Sequence, residues 1–420
     1  MVKILIKSKY FKIALLILLS AMMILAGTSR IFAGKMILSD DSLDKLESQG
    51  IDVVISFGEY RELKVIDGER NLAAGKNNDG EWELIDLKTH KTAVLDDIES
   101  VDEGGGNLVI LKAGDGYIVA DTDRLLQKGK MTDKAIVERC ESAYSVRYDR
   151  DGNYVLIEDE GSYRIIDSDG GTLYENNDCD RAFPSMKSGY VVEENNEVQR
   201  IRNIYTGEIA CELEPHEAIE RYCAGRWIVS VPEDPNATFL KLRYYILDDD
   251  FTKNEEVGEF FYYEGYEKYI YAQKARPVDM IVDEQGEVVY NCENDKDWGT
   301  FIGAAGDVAF FRGNSYGYVK YADFKNGGPE NAKEYKELCF MDFEDGTALT
   351  AKHKDGGYGN IEEASVESIK SDYKYGFKDS SFNDLTGFVF DKAYKSENGY
   401  AVVVKGMKYA LIDLKGAALR

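Results

Sequence analysis

A two-part unit recurs along this 420-residue chain and constrains its fold more than any other feature. Each unit opens with a short apolar run after Asn or Gly and passes through a polar turn. A second run of aromatic and β-branched residues follows and ends at Asp, before a Gly- or Asp-rich turn. The clearest copy runs from Asn153 through residues 154–157 (Tyr-Val-Leu-Ile) to a turn at 158–161. It continues through 163–166 (Tyr-Arg-Ile-Ile) to Asp167 and the turn Ser168-Asp169-Gly170-Gly171. Runs of this length and composition, bounded by turn residues, read as paired strands. Gly170 and Gly171 are expected to supply the positive φ of a tight hairpin turn.

The residues that close the second run fall at 86, 121, 167, 205, 248, 283, 321 and 413. The first seven recur every ~39 residues, close to the ~40–45 of one propeller blade. The last step spans two periods, so a degenerate unit is expected inside it, with Phe340-Met341-Asp342-Phe343-Glu344-Asp345-Gly346 as a candidate part. One such hairpin can neither bury its apolar face nor protect its edges, and stacking in a ring leaves only short edges. The expectation is an all-β repeat protein, a seven- or eight-bladed β-propeller, with an open β-repeat array as the alternative. Tyrosines (29) and phenylalanines (18) support strands over helices, and no long amphipathic helix is read beyond the N-terminus.

The N-terminus is different in kind. Lys3, Lys7, Lys9 and Lys12 precede an apolar run over residues 13–27, followed by the small residues Ser29, Ala33 and Gly34. That order is a secretory signal. The run is short of the ~20 residues that span a bilayer, yet Lys12 can snorkel and the cleavage candidates are poor, so a cleaved signal and an uncleaved anchor both stand. Thr28 occupies the position where a lipid-bearing cysteine would be needed. Residues 1–34 are read as signal or anchor, 35–60 as a connecting segment and 61–420 as the repeat domain. The body is expected outside the cell, secreted or held at the outer face of the cytoplasmic membrane, touching the membrane only through its N-terminal segment.

The net charge of −26 repels nucleic acid and anionic lipid, and losing the signal's lysines makes the body more acidic. No nucleic-acid partner is expected. Cys140, Cys179, Cys211, Cys223, Cys292 and Cys339 could form up to three disulfides in an oxidising compartment, but none has zinc or C-x-x-C spacing. His90, His216 and His353 begin no zinc motif; the first lies in a predicted turn and the last in a Lys/Asp-rich loop. No G-x-S-x-G elbow or phosphate loop is present. With 77 carboxylates, paired acids are not specific for a glycosidase. No cofactor is expected. Calcium is the ion whose chemistry the loops offer, at Asp149-Arg150-Asp151-Gly152-Asn153 and Asp295-Lys296-Asp297, although Tyr154 stands where an EF-hand loop requires Gly.

The most distinctive segment is 260–271 (Phe-Phe-Tyr-Tyr-Glu-Gly-Tyr-Glu-Lys-Tyr-Ile-Tyr). Alternate strand residues face opposite ways, so its consecutive aromatics cannot share one core layer. Phe261, Tyr262, Tyr263 and Tyr266 are therefore the candidate ligand-binding residues, as an aromatic platform for sugar or peptide; burial of both faces between blades is the competing reading.

The C-terminal unit, from Phe390-Asp391-Lys392-Ala393-Tyr394 through Asn398-Gly399-Tyr400-Ala401-Val402-Val403 to Lys408-Tyr409-Ala410-Leu411-Ile412-Asp413-Leu414-Lys415-Gly416, resembles the WG (KWG) repeat of bacterial proteins. Tyr409-Ala410 replaces the signature Trp-Gly, while Trp82 keeps the tryptophan and Tyr316-Gly317 the glycine in other units. The resemblance implies a β-rich interaction scaffold with no shared catalytic residue. The expected function is a non-enzymatic binding scaffold for a cell-envelope glycan, peptide or protein. A propeller enzyme acting on envelope polysaccharide and a membrane-anchored sensor ectodomain are the alternatives.

Overall fold

The computed structural model describes residue 46 and residues 50–418, apart from 149–151, 186, 188, 236–240, 266–268, 276–277, 292–299, 306–307, 313–315, 321–332, 336–337, 341–346, 354–372 and 380–382. The described residues form nine small antiparallel sheets of three or four strands. Eight follow one another as simple meanders: blade 1 over 62–95, blade 2 over 100–140, blade 3 over 142–176, blade 4 over 181–212, blade 5 over 218–247, blade 6 over 262–291, blade 7 over 300–335 and blade 8 over 338–379. Blade 9 takes three strands from 392–413, and its outer strand is the N-terminal Asp52–Ile55, antiparallel to Lys408–Asp413. The chain thus closes a β-propeller by pairing its two ends, using a strand from within the segment read as a connector.

The repeat in the sequence is the second and third strand of each blade. Trp82–Asp86, Gly116–Asp121, Val278–Asp283 and Lys408–Asp413 end at the marked aspartates. The count exceeds seven or eight because of blade 8, whose third strand Tyr373–Asp379 also ends at Asp. The intervening 354–372 pushes that Asp far from its expected position. At the fourth unit the strand Val198–Asn203 stops at Asn203, two residues before the marker expected from sequence.

The recurring acid has a local cause. Asp167 Oδ1 accepts from the Asp169 and Gly171 amides at 2.9 and 2.7 Å. Asp283 Oδ1 does the same for Gln285 and Glu287, both at 3.0 Å, and Asn203 Oδ1 for Tyr205 and Thr206 at 2.9 and 3.0 Å. A side-chain oxygen that binds amides two to four residues on stabilises the turn into the fourth strand. Gly170 has φ +83°, as expected, but Gly171 does not enter the left-handed region. At Gly171 a Cβ would sit 2.9 Å from Asp167 Oδ2, so a side chain there would have to displace the carboxylate from its turn bonds. In blade 2 Asp121 caps the short helix Thr122–Lys128 through the Arg124 amide.

Cores lie between blades. On the second strand of blade 3, Val155 and Ile157 pack with Leu108, Ile110 and Val119 of blade 2. Their alternates Tyr154 and Leu156 pack with Ala182 and Val191 of blade 4. Likewise Val191 faces blade 3 while Val192 joins Trp227 and Val229 of blade 5. Blade 9 splits in the same way: Ala401 and Val403 meet Leu349 and Phe377 of blade 8, whereas Tyr400 and Val402 meet Leu63 and Ala73 of blade 1. Period-2 alternation with both faces buried explains the near-continuous apolar runs.

Asp167→Ala should lower unfolding stability by about 1–2 kcal/mol, the cost of two unmet turn amides, while Asp167→Asn should retain most of it. Urea denaturation of both variants checks this, and an alanine variant as stable as the parent contradicts it.

Candidate functional site

Neighbouring blades meet mainly through their first strands, the inner strands of the ring. First strands Glu62–Asp67 and Ser100–Glu103 lie against each other, as do Ala218–Cys223 and Tyr262–Gly265. Lys64 Nζ spans the first of these pairs to Asp102 Oδ1 at 2.8 Å. Fourth strands form the periphery: Ile209–Glu212 of blade 4 is mostly exposed. Inner strands nonetheless carry exposed side chains, among them Asp102, Tyr144, Glu220, Arg221 and Tyr262. Tyr144 is 49% and Tyr262 46% exposed, unusual for rings on the inner strands of such an assembly.

The aromatic segment divides as strand geometry requires. Phe260 is buried between blades 5 and 6 and bridges Tyr244. Tyr263 packs against Tyr244 with ring centroids 5.0 Å apart, and burial, then Glu220, pushes its phenol up to about 12. Tyr262 faces the other way, edge-on to Tyr271 at 6.2 Å. Phe261 is half exposed, but the Arg243 guanidinium lies over its ring at 5.3 Å, paired with Glu233 and Glu259 at 3.0 and 3.3 Å. Tyr266 lies outside the described residues. The structure brings Tyr263 to an inter-blade layer and leaves Phe261 and Tyr262 at separate positions.

A buried carboxylate, Glu193 of blade 4, joins Arg202 Nε at 2.7 Å, Tyr174 OH at 2.6 Å and Asn176 Nδ2 at 2.9 Å. Burial pushes the Glu193 carboxyl up, but the bonds from Arg202, Tyr174 and Asn176 outweigh it and hold the group below its ordinary value. A carboxylate so tied is a poor general acid and a good clasp between blades 3 and 4.

On one rim, the hairpin between first and second strands of blades 1 and 4 reaches forward to connections of the next blade. Arg70 of blade 1 donates to Gly106 O, to Thr122 Oγ1 at 2.9 Å and to Asp123 Oδ1 at 3.1 Å. Lys187 of blade 4 pairs with Asp249 of blade 5. The Tyr154 hydroxyl of blade 3 bonds that of Tyr205 in blade 4. Sequence reading missed these contacts because partners one blade apart show no local pattern.

The cysteines Cys140, Cys179, Cys211 and Cys223 are free thiols. Burial, then Glu138, pushes Cys140 up to about 11, and burial pushes Cys223 up to about 12, so both resist ionisation and attack. His90 and His216 occupy turns with positive φ, while His353 ends the strand Thr347–His353 rather than lying in a loop. Among the described residues no three His, Cys, Asp or Glu side chains converge as a metal site. Both calcium candidate sequences fall mainly or wholly outside them: Asp149–Asp151 and Asp295–Asp297 are not described. Among the described residues no helix is long and apolar enough to cross a membrane.

No protein-family model matches the chain, and no curated protein matches it. Among solved structures, BamB from Moraxella catarrhalis is 12% identical with a TM-score of 0.32, over 59% of this chain and 80% of that one. A eukaryotic initiation factor is 10% identical with a TM-score of 0.48, over 79% and 88%. The WD40 domain of SCAP from fission yeast is 10% identical with a TM-score of 0.34, over 88% and 98%. The propeller assignment rests on the sheets and their closure, not on these likenesses.

Glu193→Gln should destabilise the ring by about 2–3 kcal/mol near neutral pH, because Arg202 loses its partner while keeping some access to water. Because the folded-state pKa of Glu193 is depressed, its contribution is full above the unfolded value of ~4.3 and is lost as pH falls through the folded value. Urea midpoints of parent and variant should therefore converge below about pH 4. A gap that persists or widens in acid contradicts this.

Proposed function

We propose that this chain is an exported, non-enzymatic interaction scaffold. Its ligand is a peptide, glycan or protein of the cell envelope, taken at the inner strands of the ring. The observation that carries the reading is the pair of half-exposed rings, Tyr144 and Tyr262, on inner strands of blades 3 and 6. Rigid amphipathic rings give contact area at low entropic cost, which favours them in binding sites. Glu220, exposed on the inner strand of blade 5, favours a ligand with cationic or hydroxyl-rich character. The signal-like N-terminus supports action outside the cytoplasm, and the WG-like unit at 390–416 supports an interaction role without shared catalytic residues.

The test is a binding screen of the exported chain against envelope glycan and peptide fragments. For any ligand found, Tyr144→Ala with Tyr262→Ala should weaken binding by at least tenfold, equivalent to ~1.4 kcal/mol, with little change in melting temperature. Affinity untouched by the double substitution would remove the inner strands as the site.

A further inference from the structure

Away from the inner-strand aromatics, four rings gather around one cation on the rim between blades 4 and 5. The Lys187 ammonium lies 5.0 Å from the ring centroid of Tyr190, 5.4 Å from Phe251, 5.6 Å from Tyr222 and 6.0 Å from Trp227. The rings also hold one another: Tyr222 and Trp227 are 4.9 Å apart, Tyr190 and Phe251 5.6 Å, Trp227 and Phe251 6.1 Å, and Tyr190 and Trp227 6.3 Å. Asp249 supplies a carboxylate at the rim and remains largely open to solvent.

Three observations separate this group from an ordinary latch. Arg70, the equivalent hairpin cation at the blade 1–2 junction, reaches only oxygen partners: Gly106 O, Thr122 and Asp123. Lys187 instead occupies a box of π-faces, the arrangement that recognises alkylammonium groups. The Trp227 indole N–H is fully buried and meets no acceptor, so the ring is placed for its face at the cost of its donor. Finally, the cation is delivered by a short hairpin. Ser185 Oγ accepts from the Lys187 amide and has its one proton within reach of the Tyr190 carbonyl at 2.7 Å and the Lys187 carbonyl at 2.9 Å, and Gly189 turns at φ +79°. The plug therefore sits on a small element while its box sits on the blades.

We propose that these rings form a binding site for an alkylammonium group carried by an external ligand, with Lys187 as its internal, displaceable occupant. An acidic body raises the local concentration of such cations. The apparent affinity of the parent is reduced by the fraction of molecules in which Lys187 fills the box. This site shares the strand Ala218–Cys223 with the surface proposed above but uses neither Tyr144 nor Tyr262, so either can fail without the other.

The experiment is calorimetric titration of the full chain and of Lys187→Ala with tetramethylammonium and, separately, n-butylammonium. The first stands for a choline-type group and the second for a lysine side chain. Lys187→Ala should bind at least one of them saturably and at least tenfold more tightly than the parent. Tyr222→Leu or Asp249→Asn in that background should weaken the binding. Absence of saturable binding in a Lys187→Ala protein with parent-like melting overturns the proposal, as does binding indifferent to both added substitutions. If Lys187→Ala does not fold, the parent decides: the ring-shifted Lys187 ε-methylene NMR signals should move toward ordinary values on titration. Signals that stay fixed overturn the proposal.

Discussion

Each blade of this ring has two apolar faces, and neither can be covered from within the blade. Val155 and Ile157 need blade 2, and Tyr154 and Leu156 need blade 4. A row of blades so built always leaves two faces open, one at each end, unless the ends meet. The strand Asp52–Ile55 brings them together, pairing with Lys408–Asp413 while Ile55 enters the layer shared with Leu63 and Ala73 of blade 1. Rim contacts reinforce the same seam: Asn398 Nδ2 donates to Gly68 O at 2.9 Å, and Tyr400 OH to Asn71 Oδ1 at 2.8 Å. Closure is thus a property of the whole circle, with stability shared between neighbours rather than residing in one central core.

The same construction explains where function can reside. Residues between blades are committed to packing, and the Glu193 clasp shows that even a buried carboxylate there is saturated by Arg202, Tyr174 and Asn176. Freedom remains at the inner strands and at the rim, where side chains leave the layers. Tyr144 and Tyr262 stand at the first, and Lys187 at the second, its ammonium against four rings of the layer between blades 4 and 5. A scaffold of this kind can change ligand by altering exposed positions without disturbing the repeat.

Sequence disclosed the second and third strands because both are buried on two faces and most third strands close at a turn-forming Asp. It concealed many first and fourth strands because they are short, with only four residues each in Arg181–Pro184 and Ile209–Glu212. Blade 8 was hidden by added chain between its second and third strands, and the closing strand by its distance from the partner it completes. The aromatic segment at 260–271 was conspicuous, yet alternation sends Tyr262 and Tyr263 to different neighbours. The rings around Lys187 left no trace because Tyr190, Tyr222, Trp227 and Phe251 come from separate elements of two blades.

Hydrogen exchange on residues 408–413 reads the closure of the ring. Val53→Pro, opposite Ile412, disfavours the regular pairing of the closing strand, converting Lys408–Asp413 from an interior strand to an edge. In the full chain, backbone amides of 408–413 should lose protection by at least tenfold in this variant, while those of 155–157 in blade 3 keep theirs. Equal protection of 408–413 in parent and variant would mean that the N-terminal strand does not close the ring.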